Sequence, residues 1–252
     1  METKQTALIT GASSGIGRAT ATKLAANGYR LVLCGRRAER LSDLQRELSA
    51  ITDTHTLLFD VRNEQEVKQA IDSLDASFSD ISVLVNSAGN AHGLSAFADG
   101  DIADWDAMID GNVKGLLYVS RNVIPGMVQR GRGHIVNISS VAGKFTYANG
   151  AVYCASKHAV EAISQGMRLD HTMHGIKVTN IAPGAVETEF SLVRFKGDHE
   201  RAARVYEGFD PIRPEDVADA IWYAISAPEH LTVGDIVLYA KAQAAPTVVY
   251  RK

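Results

Sequence analysis

The chain has 252 residues, 46% of them hydrophobic and 22% charged, with a formal net charge of −3. That balance excludes a disordered, collagen-like or coiled-coil chain. A mildly acidic chain lacks the basic footprint of a nucleic-acid or anionic-membrane partner, and no run approaches the about 18 apolar residues of a spanning helix.

Short apolar runs at 6–10, 30–34, 54–59, 81–86, 134–139, 177–181 and 235–239 read as strands. Between them, 16–26, 40–49, 64–78, 104–130, 151–174 and 214–227 carry apolar residues at helical spacing. Asn27-Gly28 and Gly175 are stop signals for the first and fifth of these helices. Alternating strands and helices imply right-handed crossovers and a doubly wound α/β fold, a Rossmann-type parallel sheet of about seven strands covered on both faces. The strands read as continuous apolar runs, as strands buried on both sides should. No linker or repeat divides the chain, so 1–252 is expected to form one domain. The long segment 184–213 has no clear pattern but holds Phe190, Phe195, Tyr206 and Phe209 among charges, which suits a substrate loop or a surface insertion with small helices of its own. Met1-Glu2-Thr3-Lys4-Gln5 lacks a signal-peptide core, and the only cysteines, Cys34 and Cys154, sit in apolar or small-residue stretches. Both features suit reduced, buried thiols in a cytoplasmic enzyme.

After the first strand comes Thr10-Gly11-Ala12-Ser13-Ser14-Gly15-Ile16-Gly17, then a helix. Glycines close a tight turn there and leave backbone N–H groups facing outward, a site suited to a diphosphate. The same stretch satisfies G-x-S-x-G, the elbow of serine hydrolases, with Ser13 as nucleophile. An elbow normally follows several strands and needs a late acid and histidine, so the phosphate reading is preferred. The second strand ends in Gly35-Arg36-Arg37. An acid here would accept from a ribose 2′-hydroxyl, whereas an arginine fork binds the extra phosphate of NADP. Asp60-Val61, after the third strand, suits either an adenine edge or a helix cap.

Tyr153 and Lys157 are four apart at a helix start and share one face. A phenol is a poor base at neutral pH, and a nearby ammonium favours its ionised form. Such a pair can move a proton on and off an alcohol oxygen. Thirteen residues before Tyr153, at the end of a strand, Ser140 follows Ser139 where open α/β sheets bind ligands.

These residues together resemble the short-chain dehydrogenase/reductase family over essentially the whole chain. Thr10–Gly17 matches its TGxxxGxG turn, Asn112 its helix asparagine, Ser140 its serine, Tyr153-x-x-x-Lys157 its active pair and Pro183-Gly184 its nicotinamide-side turn. Asn86-Ser87-Ala88-Gly89 departs from the usual NNAG. The resemblance implies Tyr153 as acid/base, Lys157 lowering its pKa and holding the nicotinamide ribose, Ser140 orienting substrate, and Asn112 anchoring a water in a proton relay. It implies NADP contacts from Gly11, Ser13, Ser14, Gly15, Ile16 and Gly17, Arg36 and Arg37, Asp60 and Val61, Asn86, Ala88 and Gly89, Tyr153 and Lys157, and Pro183, Gly184, Val186 and Thr188.

The stretch 181–197 resembles more narrowly the NADP-dependent 3-hydroxy acid dehydrogenases, which act on serine, allo-threonine and 3-hydroxypropionate-type acids. A small acid substrate needs a cation, and Arg194, before Lys196, is the candidate for its carboxylate. Alternatives are a broad carbonyl or sugar-alcohol reductase and a non-catalytic NADP-binding sensor. His171 and His174 beside Asp170 suit a helix end rather than a metal, since a third ligand is missing. The family resemblance also implies a homotetramer built on the 104–130 and 151–174 helices. The tail 244–252 is a candidate contact with a neighbouring subunit.

Overall fold

The apolar runs hydrogen-bond to one another as β1 (Thr6–Thr10), β2 (Arg30–Gly35), β3 (Thr54–Leu58), β4 (Ile81–Asn86), β5 (Gly133–Ile138), β6 (Ile176–Pro183) and β7 (Asp235–Leu238). In the computed structural model, which describes residues 4–252, they form one parallel sheet in the order β3-β2-β1-β4-β5-β6-β7. Residues 1–3, part of the N-terminus considered above, lie outside the described residues. The chain starts in the middle of the sheet, winds outward to β3, then returns to the other side of β1 at β4. Ligands in open α/β sheets bind at the carboxyl ends of the strands where the winding reverses, here the loops after β1 and β4.

Alternate residues of each strand feed opposite layers. Ala7, Ile9, Leu31 and Leu33 pack with Leu24 of α1 (Gly15–Ala26), Leu41, Leu44 and Leu48 of α2 (Ala38–Leu48), and Val217 and Ile221 of α9 (Pro214–Ile225). Leu8, Val32, Cys34 and Leu84 pack on the other side with Val67 of α3 (Glu64–Asp72), Val119 and Met127 of α5 (Gly115–Arg130), and Val160 and Met167 of α6 (Ala151–His171). Both cysteines are buried and unbonded. Among the described residues, no helix is long and apolar enough to cross a membrane.

Several boundaries differ from the sequence reading, each for a local reason. The helix expected over 64–78 ends at Asp72, after which Asp75 accepts from the backbone and hydroxyl of Ser77 and turns the chain. Its N-cap is Asn63, which accepts from the Gln65 and Glu66 amides, so Asp60 is not the cap. The single helix expected over 104–130 is α4 (Ile102–Ile109), then a π-helical segment at Asp110–Lys114, then α5. Such bulges rotate side chains out of helical register, and this one buries Asn112. The last turn expected in the fifth helix is 3-10 over Thr172–His174. The 184–213 segment folds as α7 (Phe190–Arg194) and α8 (His199–Arg204).

The C-terminal tail forms a small antiparallel hairpin, β8 (Gln243–Ala245) with β9 (Val248–Val249). Within the chain it folds back on the 184–213 segment instead of projecting outward. Lys252 N–H donates to Gly208 O at 2.9 Å and the Arg251 guanidinium bonds the carbonyls of Val205 and Glu207.

A buried chain of amides joins the central strands to the helices. Asn86 Nδ2 donates to Asn137 Oδ1 at 2.9 Å and to Ser120 Oγ at 3.0 Å, and Asn137 Nδ2 donates to Ser164 Oγ at 2.9 Å. Asn137→Ala strands two buried partners and is expected to destabilise the fold by about 2–4 kcal/mol, measured as a lowered urea midpoint with an unchanged slope.

Candidate active site

The turn after β1 depends on two close approaches. Gly11 has φ +68°, a left-handed conformation that side chains disfavour. A Cβ on Gly17 would lie 2.3 Å from Gly11 O, so α1 can begin tight against the turn only with glycine there. Thr10 Oγ1 accepts from the amides of Ser87 and Ala88 at 3.1 and 3.0 Å, tying the turn to the loop after β4. The two loops form one wall of a crevice of about 290 Å³ that runs from Gly11–Gly17 past Arg36, Arg37, Asp60 and Val61 to Ala88 and Gly89. Thr188, Glu189, Phe190 and Val193 of the 184–213 segment close its other side.

The far end of the crevice is rich in guanidinium groups. Arg37 Nε and Nη2 donate to Ser13 Oγ at 3.1 and 3.0 Å, and Nη2 reaches Ser14 Oγ at 2.5 Å. Its Nη1 donates to Glu189 at 2.8 Å, whose other oxygen accepts from Arg40 at 2.7 Å. Asp60 pairs with Arg62 at 2.6 Å and Arg36 at 3.3 Å. Burial would raise the Asp60 pKa, but hydrogen bonds from Arg62 and the charges of Arg36 and Arg62 outweigh it and hold it at about 2. Three arginines (36, 37 and 62) therefore face two carboxylates in the crevice wall, a net positive surface beside the diphosphate turn.

Outside the crevice lining, Tyr153 of α6 meets Arg194 of α7, with Ser140 and Lys157 nearby. Ser140 caps the short turn Val141–Gly143, accepting from the Ala142 amide at 3.1 Å, and its hydroxyl donates to Pro183 O at 3.4 Å. Ser139, its neighbour, faces the interior and donates to Lys157 O at 3.4 Å. Tyr153 is buried against Phe190, with ring centroids 5.6 Å apart. It lines a second, smaller cavity with His92, Trp105 and Met108. Arg194 places its guanidinium carbon 4.8 Å from the Tyr153 ring centroid and 5.2 Å from that of Phe190. Its Nη2 donates to Tyr147 Oη at 2.8 Å, while its buried Nε has no partner among the described residues.

Lys157 Nζ donates to Ile138 O at 3.0 Å and lies 3.5 Å from where a Cβ on Gly89 would stand. The ammonium thus faces the crevice wall at Gly89. Burial pushes the Tyr153 phenol up to about 12, and Arg194 is the strongest influence opposing it. Burial brings Lys157 down to about 8.

The family model for short chain dehydrogenases matches residues 5–197. This chain belongs to that family. It is 44% identical to the NADP-dependent 3-hydroxy acid dehydrogenase YdfG of Salmonella typhi over 91% of this chain and 92% of that protein. It is 43% identical to sulfoacetaldehyde reductase 2 of Chromohalobacter salexigens over 94% of each. The closed form of a serine dehydrogenase complexed with NADP+ superposes with a TM-score of 0.93 at 39% identity, covering 98% of this chain and 100% of that one.

In this short-chain dehydrogenase the residues expected at the site fall into three groups. The glycine turn, Arg36, Arg37, Asp60, Val61, Ala88, Gly89 and Thr188 line the crevice. Asn86, Tyr153, Lys157, Pro183, Gly184 and Val186 do not line it. Asn86 is held below by Ser120 and Asn137, Pro183 ends β6, Gly184 packs against Gln243, and Val186 is bridged to Ile212. Asn112 spends both hydrogens of its Nδ2, on Asn90 O at 2.8 Å and Ser156 Oγ at 3.0 Å, and its Oδ1 accepts from Asn90 N at 2.7 Å. No free side-chain donor is left for a water. These bonds join the loop after β4 to α6. Lys196, the lesser candidate for an anion, pairs with Asp101 and Asp104 at 3.3 and 3.0 Å.

The sequence reading missed Arg62, Arg40, Glu189, Tyr147, His92 and Phe190. Arg62 was within reach, directly after Asp60-Val61. The others meet the site only through contacts distant in sequence.

A lysine whose pKa falls from 10.5 unfolded to about 8 folded opposes stability below about pH 8, where both states are charged. That penalty disappears as pH rises towards 10.5. Lys157→Met is therefore expected to raise unfolding stability at pH 7 by about 1–3 kcal/mol, with the gain shrinking between pH 8 and 10.5 in urea titrations.

Proposed function

We propose that this enzyme moves a hydride between NADP and the hydroxyl or keto group of a small anionic substrate, a 3-hydroxy acid of the serine, allo-threonine or 3-hydroxypropionate type. One observation carries the substrate class. Arg194 lies over Tyr153 with one guanidinium edge held by Tyr147 and its Nε unpaired, a cation beside the group that would meet the reacting oxygen. The relatives support the same reading, since one is named for 3-hydroxy acids and one structural neighbour is a serine dehydrogenase with NADP+. Sulfoacetaldehyde, named for another relative, also presents an anion close to a carbonyl.

The crevice fits NADP by its own chemistry. A Cβ at Gly17 would fill the turn, and the arginines give the far end net positive charge. Gly11–Gly17 would hold the diphosphate, Arg36 and Arg37 the 2′-phosphate, and Asp60 with Val61 the adenine edge. When bound, the nicotinamide supplies or accepts the hydride.

The chain does the rest. Tyr153 gives a proton to the carbonyl oxygen in reduction and takes one from the alcohol in oxidation. Ser140, held in place by the Ala142 amide, orients the same oxygen. Lys157, facing Gly89, offers its free N–H groups to the nicotinamide ribose. Asn112 acts as a positioning residue through Asn90 and Ser156. One sheet carries both the cofactor turn and the Tyr153 region, which supports 1–252 as one catalytic domain with 184–213 as its substrate loop. We place the enzyme in the cytoplasm as a homotetramer, a reading supported by the exposed apolar Leu117 on α5 and Leu169 on α6.

Tyr153→Phe is expected to lower kcat about 100- to 10,000-fold while NADPH still binds, followed by quenching or transfer fluorescence. A wild-type protein inert towards hydroxy acids and carbonyls alike would instead indicate an NADP-binding sensor. Arg194→Ala is expected to raise KM for 3-hydroxy acids and sulfonates about 10- to 100-fold and to spare KM for uncharged alcohols. An unchanged KM for the acids sinks the assignment of this cation.

A further inference from the structure

We propose that Arg194 has a second role, independent of substrate charge: its guanidinium stabilises the ionised form of Tyr153. The inference rests on the reading of Tyr153 as the proton-transfer group, but not on any particular substrate.

The geometry begins with the ring. The Arg194 guanidinium carbon lies 4.8 Å from the Tyr153 centroid, within the range at which a cation is attracted to the face of an aromatic ring. Ionising the phenol adds a full negative charge to that ring system, so the cation is held more strongly by the phenolate than by the phenol. An interaction that strengthens in one protonation state lowers the free energy of that state.

Arg194 is not a loose surface charge. Its backbone carbonyl accepts from the Gly93 amide at 2.9 Å, its Nη2 is fixed on Tyr147 Oη, and the Phe190 ring packs beside the same guanidinium. Just beyond, Lys196 ties the end of α7 to Asp101 and Asp104.

The surroundings of Tyr153 leave few rivals. From α6 it is faced by Cys154 and, one turn on, Lys157, whose Nζ is turned to Ile138 O. Ser140 faces it from the end of β5, Tyr147 from the loop before α6, and Phe190 with Arg194 from α7. His92, from the loop after β4, lines the same small cavity, and burial lowers its pKa towards the neutral form. Arg194 is therefore the cation set against the phenol ring. Burial alone raises the Tyr153 pKa and favours the neutral phenol, and Arg194 is the first influence acting the other way, ahead of Ser140. In oxidation the substrate hydroxyl proton ends on Tyr153 Oη, and in reduction it leaves from there. The energy of the phenolate thus enters both directions.

The test is the pH dependence of single-turnover oxidation in wild type, Arg194→Gln and Arg194→Lys, with NADP+ and hydroxy acid saturating. NADPH affinity is measured alongside to establish that each variant is folded. The rate rises as Tyr153 ionises, so loss of the cation moves the rising limb to higher pH, by about one unit in Arg194→Gln. Arg194→Lys keeps the charge and should shift the limb less. A limb that coincides with wild type in Arg194→Gln overturns the proposal. The two roles of Arg194 separate on one set of data. A raised KM with no shift leaves only anion binding, whereas a shifted limb with unchanged KM supports this role and removes the carboxylate contact.

Discussion

Burying a phenol and an ammonium one helical turn apart is the constraint around which the rest of this site is arranged. Water would solvate either group freely, but both are buried in the fold. Burial alone moves both pKa values towards the neutral forms, Tyr153 upward and Lys157 downward. The surrounding chain answers with fixed dipoles and charges: the Ile138 carbonyl on Lys157, the Ser140 hydroxyl near Tyr153, and Arg194 across the tyrosine ring. Those groups come from the end of β5, from the turn that follows it and from α7. The site therefore exists only when sheet, helix and loop have all assembled.

The 184–213 segment is the element that completes both ends. Glu189 bridges Arg37 and Arg40 at the phosphate end, and Lys196 bridges Asp101 and Asp104 at the other. These pairs are largely exposed and individually weak, so they set position more than stability. Between them the same short helix carries Phe190 and Arg194 against Tyr153. The C-terminal hairpin braces the segment from outside, since Gln243 Oε1 accepts from the Ala185 amide and Lys252 meets Gly208. The tail, which in sequence is a candidate contact with a neighbouring subunit, packs within the chain against this loop.

Much of this was legible in the chain alone where the signal is local. Strand runs, the strand–glycine–helix order and the Tyr153/Lys157 spacing each follow from backbone geometry over a few residues. They located the sheet, the glycine turn and the shared helix face of Tyr153 and Lys157. Arg36-Arg37 was readable because charge at the end of the second strand has a direct meaning for a phosphate. Reading failed where a local signal has two outcomes. Residues 104–130 have helical periodicity throughout, yet a π segment interrupts them so that Asn112 can reach Asn90 and Ser156. Asp60 has the character of a cap, yet Asn63 performs that task and Asp60 gathers arginines.

The sequence by itself determined the doubly wound sheet, the place of the glycine turn and the pairing of Tyr153 with Lys157 on one helix, because each rests on patterns among near neighbours. Only the tertiary structure decided which cation addresses the phenol. Helical spacing puts Lys157 beside Tyr153, but the direction of a long flexible amine depends on the nearest unsatisfied acceptor, which is a carbonyl of β5. Arg194, forty-one residues along, takes the place over the ring because the Gly93 amide and Tyr147 hold it there.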